Sequence, residues 1–152
     1  KEEKNSDIPL LPKSQKMRAE ARRLSCWFDE KFHREVTENL LYERVYKKIT
    51  GGGYPDSEKI KTGTKNIKFH LDYMGWLLEE RRWLAGEEMT IADFAASAHL
   101  SSLDYINDVD WSYSDSVKDW YSKVKSRPAF RTILVDLLSG FNPPAHYGDL
   151  DF

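Results

Sequence analysis

Cysteine is almost missing from these 152 residues, with Cys26 standing alone. No intrachain disulfide can form, and a reducing cytoplasm is the expected setting. Long apolar runs are missing as well. None approaches the roughly 20 residues that span a bilayer, so no membrane insertion is expected. Net charge is small: 23 Lys and Arg against 25 Asp and Glu leave -2. Nothing in that balance draws the chain to nucleic acid or to an anionic membrane surface. No repeat or low-complexity segment occurs. Gly51-Gly52-Gly53 lacks the Gly-Lys-Ser/Thr of a phosphate loop and follows a helical stretch, so it reads as a helix stop. Glu30 and His33 form one Glu-x-x-His, whereas a di-iron bundle needs two and further glutamates. His70, His99 and His146 share no ligand spacing, so no metal is expected. Cys26 and His33 lie roughly 10 Å apart along a helix, too far for thiolate activation by contact.

What is present suits one helical domain. Hydrophobic residues make up 40 % and charged residues 32 %, with a mean hydropathy of -0.66. Aromatics reach 13 %, supplying either core bulk or interface anchors. Met17, Ala21, Leu24, Phe28, Phe32 and Val36 mark the core face of a helix from Ser14 to about Ile49, with a bend expected near Thr37. A second helix is expected from Thr64, since Gly63 disfavours helix by about 1 kcal/mol; Ser57 is the other candidate start. Ile67, Leu71, Met74 and Leu78 form its stripe. A third runs from Ile91 to about Ile106, rich in alanine for close packing. A fourth covers Ser116 to Lys125. A fifth opens on Pro128, turns Phe130, Ile133, Leu134 and Leu137 inward, and stops at Gly140. Residues 141–152 hold Pro143-Pro144 and are expected to be non-helical.

The most specific string is Gly86-Glu87-Glu88-Met89-Thr90-Ile91-Ala92-Asp93-Phe94. Thr90 can cap the third helix while Asp93 reaches back to its N–H, with Met89 and Phe94 as a hydrophobic staple. Together with Trp83-Leu84-Ala85-Gly86 and Trp120 through Phe130, it resembles the C-terminal domain of glutathione S-transferases. That resemblance implies an all-α bundle of five main helices and an extended tail. It also implies an upstream thioredoxin-like domain that binds glutathione and carries the catalytic residue. Residues 1–13 then look like the end of that domain (Lys1-Glu2-Glu3-Lys4) and a linker (Ile8-Pro9-Leu10-Leu11-Pro12), residues 14–140 the helical domain, and residues 141–152 the tail. The chain is expected to be a piece of a longer protein. By itself it would hold no catalytic residue, bind no cofactor and conjugate no glutathione.

Two candidate sites follow. Glu20, Arg23, Trp27, Lys31 and Arg34 line up on the first helix by the i, i+3, i+4 rule. Either this is a solvated face, or Trp27, Lys31 and Arg34 border the cleft that the resemblance places beneath the upstream domain. The tail is the second. It stiffens at Pro143-Pro144, then alternates acid and apolar residues through Tyr147, Asp149, Leu150, Asp151 and Phe152. It either packs on its own domain or hooks a partner with a basic patch. Pro-Pro-Ala-His-Tyr-Gly-Asp-Leu-Asp-Phe resembles the end of bacterial transferase-like cell-division proteins. That subfamily binds the tubulin-like GTPase FtsZ and acts on its filaments, which implies a non-catalytic partner protein. A working glutathione transferase is the alternative. Either way, the resemblance implies a homodimer for the whole protein.

Overall fold

The computed structural model describes residues 9–152. The expected helical turn at Lys1–Lys4 and the first linker residue, Ile8, lie outside the described residues. The first helix, α1, covers residues 15–50 without interruption. It passes from α-helical Gln15–Cys26 through π-helical Trp27–Thr37, α-helical Glu38–Leu41 and π-helical Tyr42–Tyr46 to α-helical Lys47–Thr50. Its core face explains the winding. Leu24, Phe28, Phe32, Val36 and Leu40 recur every fourth residue, and all are fully buried. That interval exceeds the 3.6 residues of an α turn, and the wider i→i+5 winding holds the five on one line. A change of winding, from π to α, falls at Thr37–Glu38, where a bend was expected. Gly51, at φ 67°, ends the helix as its sequence suggests.

Helix α2, Ser57–Glu79, starts earlier than Thr64. Asp56 caps it by accepting from the N–H groups of Glu58 (2.9 Å) and Lys59 (3.3 Å). Gly63 lies inside the helix because there it meets α1. A Cβ at that position would sit 2.7 Å from Leu40 Cγ and 2.9 Å from Asn39 Cβ. Close packing overrides the weak propensity cost. Ile67, Leu71 and Met74 are buried, and Leu77 rather than Leu78 completes the stripe. A hoop then crosses back. Trp83 and Gly86 exchange two backbone hydrogen bonds (2.8 and 3.1 Å). Arg81 donates to the Leu84 carbonyl and to Glu20, fastening the hoop to α1. Hydrogen bonds from Arg23 and then Arg81 hold the Glu20 carboxyl down at about 2.

Helix α3, Ile91–Tyr105, runs through the centre, burying Ala92, Ala96, Leu100 and Leu103. Helix α4, Asp115–Lys125, turns Val117, Trp120, Tyr121 and Val124 into the same core. Helix α5, Pro128–Leu134, ends well before Gly140. Phe130 is buried, but Ile133 and Leu137 are exposed, contrary to the inward face expected of them. The chain leaves the helix because the Leu138 N–H donates to the Tyr105 hydroxyl (2.8 Å), drawing it toward α3. The tail is not wholly irregular: Ala145–Gly148 forms a 3-10 turn behind Pro144. Among the described residues the architecture is five helices without a strand, apart from the isolated Trp83–Gly86 bridge.

Candidate partner-binding tail and cleft

The tail is fastened to the chain's own domain through its aromatic and histidine side chains. Tyr147 is buried, its hydroxyl 3.1 Å from that of Ser101 and its ring edge-on to Tyr105. His146 bonds through Nε2 to Asp104 Oδ1 (2.8 Å), and its carbonyl accepts from Lys125 Nζ (3.0 Å). Phe152 lies with its ring 4.0 Å from the Lys125 ammonium. Asp149 and Asp151 are exposed, and Leu150 is half-buried. Asp149 Oδ1 accepts from the Asp151 N–H (3.0 Å), so the two acids form one local turn. Of the five tail residues singled out in the sequence, Tyr147 and Phe152 are engaged by the domain. The carboxylates of Asp149 and Asp151 face solvent.

Beneath the tail lies a buried polar cluster that sequence reasoning missed. Asp104 is fully buried; its Oδ1 accepts from the Trp111 indole N–H (2.7 Å) as well as bonding to His146. Lys125 is also fully buried. Burial pushes its ammonium below the usual lysine range, while the carboxylates of Asp104 and Asp149 pull the other way. Burial likewise raises the Tyr121 hydroxyl. That hydroxyl and Asp104 Oδ2 have no hydrogen-bond partner among the described residues. One signal was available. Asp104 falls four residues after Leu100, on the apolar stripe of α3, where an acid is costly unless partnered.

The cleft on α1 is a groove of about 360 Å³ lined by Trp27, Lys31, Glu35, Phe69, His70 and Tyr73. Trp27 Nε1 donates to His70 Nδ1 (3.0 Å), and His70 Nε2 meets Glu35 Oε2 (3.0 Å). Because Nδ1 accepts, the proton is assigned to Nε2, which donates to Glu35. Burial holds His70 below the usual histidine range, against the pull of Glu35. Lys31 pairs with Glu35, holds that carboxyl low, and lies over the Trp27 ring. Arg34 is exposed and takes no part in the groove. The sequence alignment of Trp27, Lys31 and Arg34 assumed α winding. Wider winding through Trp27–Thr37 carries the seventh residue off that face. Glu35 and His70 take its place. Cys26, next to Trp27, is exposed.

Thr90 and Asp93 form a reciprocal capping box at the start of α3. Thr90 Oγ1 accepts from the Ala92 N–H (3.2 Å), and Asp93 Oδ2 accepts from the Thr90 N–H (2.8 Å). Asp93 Oδ1 also accepts from the Leu84 N–H (3.0 Å) and the Trp120 indole (2.9 Å). The residues that carry the cap therefore also bind the hoop and α4 to it.

Residues 41–132 match the model of the glutathione S-transferase C-terminal domain. FtsZ-localized protein A of Caulobacter vibrioides is 49 % identical over 151 residues, covering 99 % of this chain and 66 % of that protein. The solved structure of FzlA from C. crescentus superposes with a TM-score of 0.94 at 49 % identity, over 99 % of this chain and 67 % of that one. A glutathione S-transferase from Rhodospirillum rubrum F11 gives 0.92 at 48 %, over 99 % and 68 %. The chain thus spans about two thirds of the length of these relatives. With the family model matching residues 41–132, more than half of the chain, and the helical bundle superposing on these relatives over 99 % of it, this chain belongs to the glutathione S-transferase C-terminal-domain family.

Proposed function

We propose that the whole protein is a non-catalytic interaction protein that binds the FtsZ division filament and modulates its assembly and curvature. It would act in the cytoplasm, as a homodimer. The observation that carries this is the tail: Asp149 and Asp151 are exposed on a segment whose aromatic residues are already fastened to the domain. A pre-ordered acidic end loses little entropy on docking, and it steers toward a basic patch. The 49 % identity to FtsZ-localized protein A, running through this end of the chain, supports the same partner. Co-pelleting of the intact protein with FtsZ filaments tests the reading. Tail deletion and Asp149→Lys should each cut co-pelleting at least fivefold at low salt, and rising salt should weaken wild-type binding and narrow that difference. Undiminished pelleting of both variants refutes the tail's role.

A second reading is favoured by one observation: a relative at 48 % identity is named a glutathione S-transferase. In that case glutathione and the thiol-activating residue belong to an upstream domain, and Trp27 and Lys31 border the pocket for the electrophile. Retention of the intact protein on a glutathione column, with turnover of a model electrophile, would favour it over the first.

A further inference from the structure

Three groups converge on His146. Its Nε2 meets Asp104 on α3, while its carbonyl accepts from two donors, the Lys125 ammonium on α4 (3.0 Å) and the Asp149 N–H (3.1 Å). The bond from Asp149 ends the 3-10 turn and starts the acidic end of the chain. Lys125 therefore holds the same carbonyl that fixes where residue 149 begins. Its ammonium also lies 4.0 Å from the Phe152 ring, so one buried cation grips the chain on both sides of Asp149 and Asp151. Trp111, edge-on at 5.2 Å, and His146, stacked at 5.6 Å, brace the same ring. Among the described residues the Lys125 ammonium meets a carbonyl and aromatic rings, not a carboxylate. An ion pair with Asp149 would neutralise charge that steers a partner. A carbonyl and a ring fix the segment and leave both acids free.

We propose that Lys125 is the positioning residue of the partner-binding tail. From inside the domain it holds the His146 carbonyl and the Phe152 ring, and so presents the Asp149 and Asp151 carboxylates as one fixed pair to a basic partner surface. This rests on the reading of the tail under Proposed function. Lys125 is fully buried and cannot touch a partner itself, so its effect on binding passes through the tail. The Asp151 N–H donates to Asp149 Oδ1 (3.0 Å), which carries the fixed position of one acid on to the other. A pair held in place loses less entropy on docking than a loose end would.

The test uses the intact protein carrying Lys125→Met. Methionine fills the lysine's space, and the His146 carbonyl keeps its Asp149 donor, so the fold should stand. Carboxypeptidase should release Phe152 at least tenfold faster from the variant than from wild type, because the end is no longer gripped. Co-pelleting with FtsZ filaments at low salt should fall at least threefold. The double variant Lys125→Met/Asp149→Lys should pellet no less than Asp149→Lys alone, since Lys125 acts through the acid that is already lost. A residue that merely stabilised the domain would lower pelleting equally in both backgrounds, and that result overturns the proposal. Unchanged release of Phe152 overturns it too. Undiminished pelleting by Lys125→Met beside a fivefold loss for Asp149→Lys removes the positioning role and leaves the tail reading intact. Undiminished pelleting by Asp149→Lys itself refutes the tail reading and the positioning role with it. Should Lys125→Met fail to fold, Phe152→Leu, which removes the ring and leaves the buried cation, is read by the pelleting criteria, with Phe152→Tyr expected to bind as wild type.

Discussion

At Asp93 one carboxylate accepts from four donors: the N–H groups of Leu84 and Thr90, the Thr90 hydroxyl and the Trp120 indole. It is fully buried, and burial raises its pKa against the pull of those donors. Losing a helix cap costs about 0.5–2 kcal/mol. Orphaning buried donors adds about 1–3 kcal/mol for each group left unpaired, though not additively. Asp93→Ala should therefore lower unfolding stability in urea by about 3 kcal/mol or more. A loss inside the cap range would mean that the hoop and Trp120 contacts contribute nothing. The cap was legible in the sequence because Thr90 and Asp93 are three residues apart. Leu84 and Trp120 were not, because sequence distance hides which groups share a buried acceptor.

At the level of elements, α1 and α2 show where local rules give way to packing. Gly63 argued against helix by propensity, yet α2 runs straight through it. Its missing side chain is what allows contact with Leu40 and Asn39. Gly63→Ala sets two effects against each other. Helix propensity favours Ala by about 1 kcal/mol. Overpacking a tight contact costs about 1–3 kcal/mol. With the nearest atoms at 2.7 and 2.9 Å, the second effect should win. Thermal melts should show Gly63→Ala less stable than wild type; a raised Tm would mean the helices separate freely. The cleft teaches the same lesson. Trp27 and Lys31 share a face as the spacing suggested, but Arg34 does not, because the winding of α1 follows its four-residue core interval.

For the whole molecule, buried histidines tie stability to pH. His70 joins α1 to α2 through Trp27 and Glu35, and His99 joins α3 to α1 through Asp29 and Thr37. Burial lowers both pKa values below the ordinary 6.5, against the pull of Glu35 and Asp29 respectively. The sign follows. Below about 6.5 the unfolded chain takes up protons that the folded chain refuses. Stability from these two groups is thus fully present above that pH and is lost as pH falls through it. A protonated His70 could no longer accept from Trp27. Unfolding free energy should be flat from pH 8 to about 7 and decline below about 6.5. The double variant His70→Gln/His99→Gln should remove most of that slope. A slope unchanged in the double variant would assign the pH dependence to other groups.

The amino-acid order alone determined the helical class, the core face of the first helix, the capped third helix, the glycine stop after α1 and the family likeness. Each of these depends on neighbours within one or two turns, and local geometry is written in local spacing. Only the tertiary structure decided that Tyr147 and Phe152 dock on their own domain while Asp149 and Asp151 stay in solvent. It also decided that Lys125 and Asp104 both meet His146, one at its carbonyl and the other at its Nε2. Those outcomes depend on residues from α3, α4 and the tail meeting at one place. Buried charge is tolerated only where distant groups supply the missing partners, and that supply is a property of the folded chain.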